Sequence, residues 1–151
     1  MPTDVAEKIE AVARDAGLST AEVEQVQAEV EASTRALLLP AQITSIAGLP
    51  GTYLWTEFGT PRAATFKATG PTGGTYSIVD LMTGVLVESG AFTFTPPPPI
   101  PILRLQPGVG PSRTFTFISV FTDTAGLFIN MQLRKLAPVS FPPMFSAVRM
   151  M

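Results

Sequence analysis

Fourteen of the fifteen prolines in this 151-residue chain lie at or beyond Pro40, and the 112 residues from there onward carry only eleven charged side chains. Proline stops helices and the interiors of central strands alike. A stretch punctuated in this way therefore folds as short segments joined by turns. Charge at about 10% falls well below the ~25% usual for soluble domains, and fifteen threonines supply much of the remaining polarity. Before Pro40 the balance reverses. Residues 1–39 hold eight acids and three bases, net −5, whereas residues 40–151 hold four acids and seven bases, net +3. A composition shift this abrupt marks a boundary near residues 39–41. It divides the chain into an acidic helical arm (residues 1–39), a β domain (40–138) and an apolar C-terminal tail (139–151).

The arm reads as a helix or helical hairpin. Asp4 is placed to cap a first helix with Val5, Ile9 and Val12 on one stripe, and Gly17 to end it. The run Ser19-Thr20-Ala21-Glu22 has the form of a capping box, opening a second helix with a narrow seam of Val23, Val26, Val30 and Leu37. The helix–turn–helix rhythm of residues 13–26 invites comparison with DNA-binding motifs. A recognition helix bearing Glu22, Glu24, Glu29 and Glu31 would repel phosphates, however, and a net +3 on the β part is a weak footprint, so nucleic acid is not an expected partner.

From about Ile43 the apolar period changes from 3.6 to 2, with expected strands at 53–58, 63–69, 75–80, 85–89, 91–95, 102–106, 114–122 and 127–136. Asp80 to Gly84 marks one hairpin turn, which would set Tyr76 and Ile78 against Val85 and Val87. Asp123 to Gly126 marks another. A three-residue loop there places Phe115, Phe117 and Phe121 on one face with Ile129, Met131 and Leu133. A longer loop would set the phenylalanines beside Asn130 and Gln132, so the shorter loop is the expected register. Many short strands with regular turn signals predict a mainly β fold, an antiparallel β-sandwich of immunoglobulin-like or small jelly-roll type, with a closed barrel as the runner-up. The PPPPIP run at 96–101 reads as a stiff polyproline spacer between strands rather than as a ligand for another domain.

The chain has no histidine and no cysteine. That excludes His-based nucleophile relays, disulfides, thiol chemistry and ordinary zinc, copper or haem sites. Asp80 and Asp123 sit where Asp bonds its own turn. Glu57 and Glu88 are the one pair of carboxylates available for glycosidase-like chemistry, but their spacing does not support it. No calcium-loop pattern and no phosphate loop occur. No catalytic residue, cofactor or metal is expected. Tyr53 and Trp55 alternate along one strand, an arrangement that on an exposed face stacks sugar rings and in a core simply packs.

These features point to a non-enzymatic structural subunit that self-assembles or is built into a larger particle, such as a virion, phage-like or other bacterial assembly. A surface poor in charge favours association. The expected interface comprises Val23, Val26, Val30 and Leu37 of the arm and Phe141, Met144 and Phe145 of the tail. A carbohydrate-binding module using Tyr53 and Trp55 is the alternative, and a membrane-active oligomer the third reading. The acidic N-terminus is no secretory signal, so the chain is expected to be made in the cytoplasm. No 18-residue apolar run marks a transmembrane helix.

Overall fold

The computed structural model describes residues 36–139 and 142–151, together with residues 17, 21, 22, 24 and 25. The chain divides into two units, Met1–Ala36 and Leu37–Met151. The second unit is described below. Its strands are β1 (Ala36–Leu38, straddling the boundary), β2 (Gly51–Trp55), β3 (Arg62–Gly70), β4 (Gly73–Asp80), β5 (Leu86–Thr95), β6 (Ile102–Pro107), β7 (Arg113–Thr122), β8 (Phe128–Ala137) and β9 (Met144–Arg149). From β2 to β9 each strand pairs antiparallel with the next, and β9 pairs back onto β2. The result is a closed eight-stranded up-and-down barrel, with β1 added beside β7.

This corrects the expected sandwich. A sandwich needs the chain to leave one sheet for another, and separate strands were expected at 85–89 and 91–95. Instead β5 runs unbroken through Gly90. That glycine marks a close approach: a Cβ there would lie 2.0 Å from the Gln106 carbonyl oxygen on β6. The PPPPIP segment likewise joins neighbouring strands β5 and β6 rather than crossing between sheets. The tail is corrected too. Tyr53, Leu54 and Trp55 face Arg149, Val148 and Ala147 across one seam of β9, and β8 takes the other, so the last strand closes the barrel. No α-helix with described bounds is present, and the only bounded helical element is the 3-10 turn Pro40–Gln42. Most of the expected helical arm lies outside the described residues; Ala21, Glu22, Glu24 and Gln25 are helical, but at its end Ala36–Leu38 is strand rather than helix.

Alternation along each strand directs one side chain in two to the interior. Tyr53, Trp55, Phe66, Ile78, Phe92, Leu103, Leu105, Phe115, Phe117 and Met131 are all fully buried there. Trp55 packs against Phe66, Phe115 and Phe145, with ring centroids 5.7, 5.9 and 4.8 Å away. Each such tilted or edge-to-face pair is worth about 0.5–1.5 kcal/mol beyond its buried area. The barrel is therefore filled with side chains, as small closed barrels are.

Two β-bulges reset the alternation. Phe117 faces Leu133 as expected, but Ser119 faces Gln132, which leaves Ile118 as an extra residue on β7. Beyond it Val120 takes the interior place opposite Met131 and Phe121 turns outward, 37% exposed, against its expected position beside Ile129. On β5, Glu88 faces Ile78 and Leu86 faces Val79, so Val87 is the extra residue. Val85 and Val87 consequently lie exposed instead of opposing Tyr76 and Ile78.

The barrel end that carries Gly51 and Arg149 is plugged by Ile43, Ile46 and Leu49 from the segment preceding β2, all buried. Tyr53 donates its hydroxyl to the Leu49 carbonyl. Arg149 ties the plug in place, donating to the carbonyls of Phe128 at 2.6 Å and Gly48 at 2.9 Å and to the Tyr53 hydroxyl at 2.8 Å. On the outer wall, Thr52, Thr65, Ser77 and Ser89 face one another in a single row across four strands. Apolar groups thus fill the inside and hydroxyls lie outside, the reverse of the lipid-facing band of an outer-membrane barrel.

Candidate functional site

At the opposite end of the barrel the inward positions change character. Continuing the alternation of Tyr53 and Trp55 past the end of β2 brings Glu57 inward, and it is 1% exposed. Arg113 precedes the buried Phe115 by two, and Lys135 follows the buried Leu133 by two, directly opposite Phe115. Glu88, opposite Ile78 and on the same face of β5 as the buried Phe92, points toward the same end. Four ionisable side chains far apart in sequence thereby share one end of the interior.

Glu57 is the hub. It accepts hydrogen bonds from Trp55 Nε1 at 2.9 Å and from Arg113 Nε and Nη2 at 2.7 and 3.1 Å, and it pairs with Lys135 Nζ at 2.8 Å. Arg113 Nη1 reaches Glu88 at 2.8 Å, so one guanidinium bridges the two carboxylates. The Tyr76 hydroxyl completes the network by donating to Glu88. Phe58 covers it, with Arg62, Arg113 and Lys135 at 4.8, 5.5 and 4.6 Å from its ring centre. Cations on a ring face are favourable contacts, the more so when desolvated.

Two carboxylates balance Arg113 and Lys135 within the network. Burial by itself would lower the Arg113 pKa, but the hydrogen bonds it donates to Glu57 and Glu88 and their negative charge hold it above its ordinary value. Burial raises the Tyr76 phenol, and its bond to Glu88 raises it further. At the plugged end burial also raises Tyr53, against the opposing pull of Arg149. Acid–base catalysis needs a carboxylate that reaches substrate with a free lone pair. The Glu57 oxygens are instead taken up by four donors. What this arrangement can do is fix the strand ends in register and seal that end of the barrel, because every member has a partner that only one register supplies.

The residues expected to act from sequence are dispersed. Tyr53 and Trp55 lie in the interior and present no ring face to solvent. Phe145 is buried against Trp55 and Phe115, whereas Met144 and Leu37 are exposed. Val23, Val26, Val30 and Phe141 lie outside the described residues. Asp80 and Asp123 serve their own turns as expected: Asp80 accepts from the amides of Met82 and Thr83, and Asp123 from those of Ala125 and Leu127. Among the described residues no group of three or more acidic side chains is placed to hold a metal ion.

Arg113 and Lys135 enter the sequence reading only within the net +3 of the β part, although a signal for them is present. A register that sets Phe115 and Phe117 beside Met131 and Leu133 also puts Lys135 on their face, two residues further on. Glu88 carried a signal too, since it lies four residues before the buried Phe92 and so on the same strand face, but the break expected at Gly90 hid it.

Fold and site together define a small closed β-barrel with a solid interior, plugged at one end by apolar side chains and at the other by ion pairs. Among known proteins, no family model, no curated protein and no solved structure matches this chain.

Proposed function

We propose that the protein is a non-enzymatic structural subunit that works by associating with copies of itself or within a larger particle. The observation that carries this reading is the concentration of exposed apolar side chains on loops at the ion-paired end. Met82, Val85, Val109 and Val139, on three loops at that end, are 84, 60, 94 and 84% exposed, and large apolar exposure marks interaction sites. The packed interior supports it as well, since a ligand would have to be met on the outer surface. Burial of Tyr53 and Trp55 leaves the sugar-stacking alternative without a platform. Among the described residues no helix is long and apolar enough to cross a membrane. Light scattering of the purified chain at micromolar concentration tests the proposal: a particle mass of two or more subunits is expected, and a monomer at every concentration would overturn it.

A further inference from the structure

At the ion-paired end the side-chain charges that the network and the turns leave free are all positive. Apart from the buried Glu57, the four loops there, 56–61, 81–85, 108–112 and 138–143, contain no charged residue. Three arginines stand at their bases. Arg62 opens β3 and lies over Phe58, Arg104 donates from Nη2 to the Ser112 hydroxyl at 3.1 Å, and Arg134 faces Met144, where β9 begins. Among the described residues none of the three pairs with a carboxylate, because Glu57 and Glu88 are taken by Arg113 and Lys135 while Asp80 accepts from its own turn. Arg62 Nε is buried without a hydrogen-bond partner, a donor that calls for an acceptor.

We infer that this end receives the acidic segment at residues 15–34 of a second copy, so that subunits join head to tail. The inference rests on the reading of the protein as a self-associating subunit and names the two surfaces that meet. Between Arg14 and Arg35 the chain holds five acids and no base, with Val23, Val26 and Val30 among them. Acids interspersed with valines match what the end offers, exposed Met82, Val109 and Val139 on the loops with arginines at the loop bases. Complementary charge of this kind selects the partner, fixes its register and speeds encounter.

Two features select a second copy in this arrangement. In an isologous contact each residue approaches its own image, so the free arginines would repel themselves and this end is a poor partner for its own surface. The chain also enters the barrel unit at the other pole, where Leu38 borders the same recess as Thr122, Gly126 and Phe128 beside the plug. The receiving surface and the point of chain entry thus lie at opposite ends of the β unit, as a heterologous contact that builds a ring or filament requires.

Charge reversal in the full-length chain tests this by complementation. Arg104→Glu with Arg134→Glu makes the collar acidic, and Glu24→Lys with Glu29→Lys and Glu31→Lys makes the segment basic. For each variant alone the dissociation constant is expected to rise roughly tenfold or more, since like charges then meet at the contact, with Trp55 emission unchanged. An equimolar mixture of the two is expected to regain assembly in light scattering, because each now carries the surface that the other's segment or collar fits. If the native chain assembles but either variant does so equally well, or the mixture stays dissociated, the contact lies elsewhere or within one chain and only this inference falls. A native chain that stays monomeric at every concentration overturns both readings.

Discussion

Replacing Glu57 by glutamine keeps the shape of the hub and removes its charge. The variant leaves Arg113 and Lys135, 8 and 5% exposed, sharing the single carboxylate of Glu88. The amide group that replaces one carboxylate oxygen also turns a donor toward donors. Removing one partner of a buried ion pair costs about 3–5 kcal/mol, because the remaining charge stays buried without compensation. Against a total stability of roughly 5–15 kcal/mol, that is a large share. It corresponds to a fall in melting temperature of roughly 12–20 °C for a domain of this size. Urea unfolding followed by the emission of Trp55, the only tryptophan, reads the loss. Because Trp55 itself donates to Glu57, its native spectrum is expected to shift as well. The decisive comparison is with Lys135→Met and the double variant. Taking out one anion and one cation together restores the balance, so the double loss is expected to fall short of the sum of the single losses by about 2–3 kcal/mol. Losses that add within about 0.5 kcal/mol, or a Glu57→Gln cost below about 1 kcal/mol, would refute the account of this end as a coupled network.

Four further outcomes follow from the packing. Gly90→Ala sets a methyl group against the Gln106 carbonyl and is expected to cost about 2–3 kcal/mol in the same urea assay; a neutral result would mean that β5 and β6 are not held so close. Arg149→Met strips partners from the Gly48 and Phe128 carbonyls and from the Tyr53 hydroxyl, for an expected loss of about 2–4 kcal/mol, with faster hydrogen exchange at Leu49 and Phe128 as its local signature. Deleting residues 139–151 removes the closing strand, so cooperative unfolding is expected to disappear; a chain that still melts sharply would contradict the β2–β9–β8 closure. The chain's two tyrosines, Tyr53 and Tyr76, both have phenol pKa values raised above the ordinary 10. Their contribution to stability is therefore complete below pH 10 and is lost as pH rises beyond it. Tyrosinate absorbance is expected to appear only as the protein unfolds, and reversible titration of the native state near pH 10 would count against this burial.

Most of the strand segments were legible in residues 40–151, because period-two alternation survives wherever one face is buried. The two aspartate-led turns were legible for the same local reason. What alternation cannot convey is how a sheet ends. Sandwich and barrel demand the same pattern of strands and differ only in whether the last strand finds the first, a contact that no local pattern encodes. The segment from Met144 to Arg149 reads as an apolar tail rather than a strand because two prolines precede it and its outward residues Met144 and Val148 are apolar, which hides the inward pair Phe145 and Ala147. The ion-paired end was largely legible: Lys135 and Arg113 follow from the hairpin register and Glu88 from the alternation of Phe92 and Phe94 carried back through Gly90, whereas Phe121 lies beyond a bulge that inverts the inference made past it.

The meander order bears on how the chain reaches its native state. Seven of the eight barrel pairings join strands that are neighbours in sequence, so each is made by closing a short loop. The eighth, β2 with β9, brings together segments such as Thr56 and Ser146, 90 residues apart. Loop-closure entropy rises by about 0.6 kcal/mol per doubling of length, which makes this step roughly 2 kcal/mol dearer than forming a hairpin about ten residues long. The seven local pairings are therefore expected to form an open eight-stranded sheet before it closes, and the rate of folding is expected to depend most on how well the final six-residue strand docks against β2.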